Sequence, residues 1–91
     1  MNLSVDLEKM KEVFGDEIIE IISDNMDIIE KNVQTLKDLN FDDVGGLFER
    51  CPSSFTYFPK DFNSKINKLI EKIGKNYVEV IQNDISYFEN L

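Results

Sequence analysis

Residues 7–32 of this chain read LEKMKEVFGDEIIEIISDNMDIIEKN, and residues 66–91 read INKLIEKIGKNYVEVIQNDISYFENL. The two stretches align without a gap and are identical at six positions, which include Gly15 paired with Gly74. Residues 33–58 align with the same pattern less closely. A recurring segment of this length is typical of stacked helical units that bury a shared core. The sequence therefore predicts one domain built from three units.

Hydrophobic spacing indicates the type of secondary structure. Apolar residues recur at intervals of three and four along nearly the whole chain, and strict alternation is scarce. We predict an all-α fold, either a compact bundle or a short α-solenoid, with about six to nine short helices.

The helix ends are predicted from capping residues, glycines and prolines. The first helix spans residues 4–14 with Ser4 as its cap, Gly15 ends it at the left-handed C′ position, and Asp16 caps the second helix. A break is predicted at Ser23, Asp24 and Asn25, with a third helix over residues 26–39; without that break the second helix would continue to Leu39 with a kink. The next predicted boundaries are a left-handed turn at Asn40 and a helix over residues 44–50 that Asp42 or Asp43 caps. These are followed by a short helix or turn that begins near Cys51 and ends at Pro59, and by a helix capped by Asp61 or Asn63 that ends at Gly74. A further helix begins at Asn76 and breaks at Asn83 and Asp84.

Charge is unevenly distributed along this acidic chain. The net charge is −8, yet residues 1–31 hold nine acids and three lysines, whereas residues 59–75 hold five lysines and two acids. An acidic protein is poorly steered towards phosphate backbones. The composition is therefore better suited to solubility or to a basic protein partner than to a nucleic acid.

The residue content also argues against catalysis. The chain has no histidine, which removes the commonest general base and metal ligand, and its acids do not match a calcium-binding loop. We therefore expect no enzyme activity, no cofactor and no metal. Cys51 lies beside Pro52 and between phenylalanines, so we expect a small buried side chain.

Location is indicated by what the sequence lacks. A single cysteine cannot form an internal disulfide, no apolar run approaches the roughly 18 residues of a membrane span, and the first residues do not resemble a signal peptide. We expect an intracellular, cytoplasmic protein that does not enter membranes.

Two surfaces are candidate binding sites. The first is a lysine stripe that could contact phosphate or an acidic partner, or could be an ordinary solvated helix face; it consists of Lys65, Lys68, Lys72 and Lys75, with Lys60 nearby. The second is the aromatic segment of residues 55–62, most of which should be core. Tyr57 or Phe62 is the candidate for an exposed protein interface within it.

The middle of the chain resembles a repeat of the mitochondrial transcription termination factor (mTERF) family. The residues that carry this resemblance are Val33, Leu36, Leu39, Asn40, Phe41, Asp42, Asp43, Val44, Leu47, Phe48, Arg50, Cys51, Pro52 and Phe55. The resemblance implies a curved all-helical repeat without catalytic residues, and nucleic-acid binding through basic grooves. The acidic composition instead places a non-catalytic protein-interaction or regulatory module first, with the mTERF-like nucleic-acid-binding module as the alternative.

Overall fold

The computed structural model describes residues 5–91, and within these residues there are seven α-helices, one 3₁₀ helix and no strand. The helices are α1 (Leu7–Phe14), α2 (Glu17–Asp24), α3 (Met26–Asp38), α4 (Val44–Arg50), the 3₁₀ helix (Pro52–Thr56), α5 (Pro59–Ile73), α6 (Tyr77–Asn83) and α7 (Ser86–Glu89). The predicted all-α fold of short helices is confirmed.

Equivalent glycine turns end α1 and α5. Gly15 has φ 90° and ψ 173°, and Gly74 has φ 92° and ψ −153°. The N–H of each glycine donates a 2.8 Å hydrogen bond to the carbonyl four residues earlier, on Lys11 and Ile70 respectively. The prediction of positive φ is confirmed, although ψ is extended rather than helical. Glycine alone adopts this region readily because a Cβ atom would clash with the backbone.

The predicted breaks at Asn25 and at Asp84 are also present. The same type of backbone hydrogen bond closes the helix at both breaks and at Cys51, where α4 ends. At these three aligned positions a backbone N–H donates to the carbonyl four residues earlier, on Ile21, Val80 and Leu47. The N–H groups of Asn40 and Phe41 instead bond to the carbonyls of Lys37 and Leu36, which is a Schellman motif with Asn40 at φ 70°. The left-handed turn predicted at Asn40 is therefore confirmed.

The helix starts are predicted less well than the helix ends. The predicted cap Ser4 lies outside the described residues, and α1 begins at Leu7 with the Asp6 carboxylate accepting the Lys9 N–H. Asp16 was predicted to cap α2, and this is wrong: its backbone is already helical and its side chain accepts no capping hydrogen bond. The Gly15 carbonyl accepts the Ile18 N–H at this start instead.

The start of α5 corrects a further prediction. Pro59 was expected to end a turn, but it is the first residue of α5, where the missing proline N–H costs no hydrogen bond. Asp61 and Asn63, the predicted caps, consequently lie inside the helix. Asp43 does cap α4, by accepting the Gly46 N–H, whereas Asp42 bonds to Gln82.

An aromatic cluster forms the centre of the core. The ring of Phe55 lies 5.2 Å from that of Phe48, 5.2 Å from that of Phe88 and 5.8 Å from that of Phe62, and all four side chains are fully buried. The Cα radius of gyration is 12.6 Å, close to the value of about 12 Å for a compact globule of this length. The helices therefore form a bundle around these rings rather than an extended solenoid.

Candidate functional site

An apolar groove lies between the N-terminal helices and the α4–3₁₀ segment. In its first part, Phe14, Ile18 and Ile21 face Cys51 and Pro52 around a cavity of about 540 Å³. We call this cavity, together with its continuation described next, the N-terminal groove. Because Phe14 and Ile21 are each 42% exposed, its apolar wall is open to solvent.

The groove continues along α1. Its second part has a volume of about 390 Å³ and is lined by Met10, Val13 and Phe14 on one side and by Ile85 on another. Val13 is 67% exposed. Phe14 and Arg50 line both parts, so the two cavities form one continuous surface.

Acidic side chains predominate at the edge of the groove. Glu17 and Glu89 line its first part, and Glu49 lines its second. The positive charge of Arg50 is offset by Asp43, whose carboxylate lies 3.7 Å away, while the Arg50 guanidinium donates to the carbonyls of Gly46 and Gln82. Lys9 is the other basic residue of the lining.

Cys51 is buried, as predicted, and lies in the lining of the first cavity. Its sulfur is 3.2 Å from the Ser54 hydroxyl, which in turn donates to the Phe88 carbonyl. The thiol is thus part of a polar link between the 3₁₀ helix and α7. Among the described residues no group of three or more His, Cys, Asp and Glu side chains could hold a metal ion.

The lysine stripe is only partly assembled. Lys65, Lys68 and Lys72 line a shallow depression of about 310 Å³ with Tyr87 and Asn90. The ammonium of Lys65 donates to the Leu91 carbonyl at 3.0 Å and lies 5.0 Å from the centre of the Tyr57 ring. That charge is therefore engaged within the protein.

The other two lysines of the prediction lie apart from the stripe. Lys75 follows α5 and lines a different depression beside Asp42 and Glu79. Lys60 is in the first turn of α5, and helix geometry places it about 140° around the axis from Lys65. Lys68 and Lys72 are the exposed members that share one face with Lys65.

The aromatic segment of residues 55–62 is mostly core. Phe62 was a candidate for an exposed interface, and this is wrong, because its side chain is fully buried against Phe55 and Phe88. Tyr57 is 38% exposed, and Phe58, which was not singled out, is 68% exposed.

Sequence reasoning missed the groove residues Val13, Phe14 and Ile21. A detectable signal was present: α2 carries Ile18, Ile19, Ile21 and Ile22, which cover more of the helix surface than one buried stripe requires. Such excess apolar surface on a terminal helix indicates either burial on all sides or an exposed binding face.

Comparison with known proteins gives no relative. No family model, no curated protein and no solved structure matches this chain. None of the described helices is both long enough and apolar enough to cross a membrane. Inferences about function therefore depend on the surfaces described above.

Proposed function

We propose that this chain is a non-catalytic helical module that binds a protein partner, and that the N-terminal groove is its main contact surface. The observation that carries this proposal is the exposure of Val13, Phe14 and Ile21 together around one concave surface. Exposed apolar residues scattered singly are ordinary, but a contiguous apolar concavity with a polar edge is typical of protein interfaces. Tyr57, which is 38% exposed, is a second and smaller candidate contact.

Site-specific photo-crosslinking tests this function. A benzophenone amino acid is placed at Val13 and, as a matched control, at Phe58, which is equally exposed but lines neither part of the groove. We expect discrete protein adducts from position 13 in an extract of the source cells and fewer from position 58. The absence of protein adducts at both positions, together with clear nucleic-acid binding, would reverse the ranking of the two functions.

The second candidate is an mTERF-like nucleic-acid-binding module. Exposed Lys68 and Lys72 on one face of α5, beside the engaged Lys65, favour it. The net charge of −8 opposes it, and two free ammonium groups would supply weak, salt-sensitive affinity. Lys60 and Lys75 would add little, because they lie apart from this face.

Fluorescence anisotropy with labelled single-stranded and duplex oligonucleotides at about 50 mM salt tests this alternative, since phosphate contacts are strong under those conditions. Binding that weakens steeply with salt and is lost in the Lys68→Glu/Lys72→Glu variant would support it. If no anisotropy change occurs, the alternative is eliminated. A non-catalytic role in the cytoplasm remains part of the proposal. The lack of histidine favours a non-catalytic role, and the single buried cysteine, which forms no disulfide within the chain, favours a reducing compartment.

A further inference from the structure

Corresponding positions in the three aligned units differ in exposure. Ile21 is 42% exposed, whereas Leu47, at the aligned position of the middle unit, is fully buried. Likewise Leu7 is 43% exposed, and its counterparts Val33 and Ile66 are buried. In stacked helical units each unit covers its neighbour, and an end unit needs a polar outer face. The first unit therefore exposes apolar residues at positions that the middle unit buries, and that the third unit buries fully at Ile66 and partly at Val80.

The shape of the groove favours a helix as the occupant. The groove is bordered by helices, and the described residues contain no sheet edge to which an extended peptide could add a strand. An amphipathic helix instead places apolar residues spaced at i, i+3, i+4 and i+7 into such a groove. Val13, Phe14 and Ile21 would contact that apolar face.

The charge at the edge favours a basic occupant. Residues 1–31 contain nine acids and three lysines, and the groove edge includes Glu17, Glu49 and Glu89. A second copy of this chain is disfavoured, because a two-fold contact would set the same acidic edge against itself. Lysine and arginine residues beside the apolar face of a partner helix would pair with this edge.

We infer that the N-terminal groove binds a basic amphipathic helix of a partner protein, an inference that rests on the proposed function. Val13, Phe14 and Ile21 contact the apolar face of that helix. Glu17 and Glu89 contact its lysine and arginine side chains. Electrostatic attraction would speed association and make it sensitive to salt. Apolar burial in the groove would supply most of the affinity.

Titration with three synthetic peptides tests this inference. The first is a peptide of about 18 residues of Leu, Ala and Lys with leucines on one helical face. The second has the same composition in scrambled order, and the third replaces each Lys with Glu. We expect the first to bind most tightly, because only it combines an apolar face with positive charge. Equal binding of the first and second would overturn the inference, because it would show attraction to charge alone.

Variants of the protein locate the binding surface. Val13→Asp should weaken binding of the first peptide about tenfold, because it puts a charge where the apolar face docks. Phe58→Asp is the matched control and should leave binding unchanged. Glu17→Lys/Glu89→Lys should weaken binding at low salt more than Glu71→Lys/Glu79→Lys, which changes the net charge equally at exposed positions outside the groove lining. Equal effects of the two double variants would overturn the inference.

Two further outcomes separate this inference from the function on which it rests. If no peptide binds, yet photo-crosslinking from position 13 still captures a protein, the groove binds a partner of different chemistry and only the inference fails. If sedimentation instead shows a dimer that Val13→Asp dissociates, a second copy occupies the groove and the inference also fails.

Discussion

Asn32 is the polar residue that connects α3 with the 3₁₀ segment. Its side chain is fully buried, and its amide nitrogen donates 2.8 Å hydrogen bonds to the carbonyls of Phe55 and Tyr57. Its side-chain oxygen has no protein partner. The sequence contains a signal for this burial, because Asn32 is spaced three residues after Ile29 and four before Leu36, on the apolar face of α3.

Replacement of this residue should destabilise the fold. Asn32→Ala leaves two carbonyls without their donors, and we expect the free energy of unfolding to fall by about 2 kcal/mol. Urea denaturation followed by circular dichroism measures the loss. Asn67→Ala is the control, because its amide bonds only to exposed Asn63, and it should change stability by less than about 0.5 kcal/mol. An unchanged urea midpoint for Asn32→Ala would show that these bonds contribute nothing.

Gly74 provides a second prediction at the scale of one residue. No atom lies within 4 Å of a Cβ built at this position, so a side chain there has room. Its φ of 92° with extended ψ nevertheless disfavours any L-residue, above all a β-branched one. Gly74→Val should therefore destabilise the protein by about 1–3 kcal/mol through backbone strain alone.

The aligned turn and a neighbouring residue serve as controls for this substitution. Gly15→Val should cost a similar amount, because Gly15 has nearly the same φ and equally open surroundings. Lys75→Ala, next to Gly74 and exposed, should be nearly neutral in the same urea titration. If Gly74→Val were also neutral, the turn would not require glycine.

At the scale of elements, α7 depends on a local acidic contact for its start. The Asp84 carboxylate accepts hydrogen bonds from the Ser86 hydroxyl at 2.6 Å and from the Ser86 N–H at 3.1 Å. These bonds, of which the hydroxyl contributes most, hold the pKa of Asp84 below its usual range. They favour the charged form, so their contribution to stability exists only while Asp84 is ionised in the folded state.

Acid should weaken this start in a defined pH range. Because the folded-state pKa is lowered, the stabilisation is fully present above the ordinary aspartate pKa of about 4 and is lost as the pH falls through the folded-state value. Ser86→Ala should raise the Asp84 pKa towards its ordinary value, which carboxyl-carbon NMR titration measures. An unchanged Asp84 titration in Ser86→Ala would contradict the assigned cause.

The helix ends were predictable where one residue type meets one backbone requirement. Gly15, Asn40 and Gly74 are positions at which few other residues fit, and each was placed correctly. Pro59 was not, because proline is compatible with the end of one segment and with the first turn of the next. Asp61 then suggested a cap, although an acid is equally favourable inside a first helical turn.

The candidate site was less predictable than the fold. Whether an isoleucine of α2 is buried depends on which other helix covers it, and that information is not local. Phe62 and Phe14 occur in similar apolar contexts, yet the first is enclosed by other rings and the second lines an open groove. Periodicity identifies apolar faces but does not identify the face that lacks a covering element.

At the scale of the whole molecule, Phe55 joins elements that are distant in sequence. Its ring contacts those of Phe48 in α4, Phe62 in α5 and Phe88 in α7. Phe55→Ala would leave a cavity among these rings, and we expect a loss of about 3–5 kcal/mol. A loss of this size is a large part of the stability of a small domain. Phe58→Ala, at a residue that is 68% exposed, is the control and should be nearly neutral.

Hydrogen exchange of this variant distinguishes a single cooperative bundle from independently opening units. In a bundle organised around the four rings, Phe55→Ala should accelerate amide exchange at Met10 in α1 and at Ile66 in α5 by the same factor, since both open only with global unfolding. In a quasi-linear repeat, opening would remain near the altered unit, and Met10 would keep its protection. The compact radius of gyration and the shared aromatic cluster favour the first outcome. Protection retained at Met10 but lost at Ile66 would show that the first unit folds without the cluster.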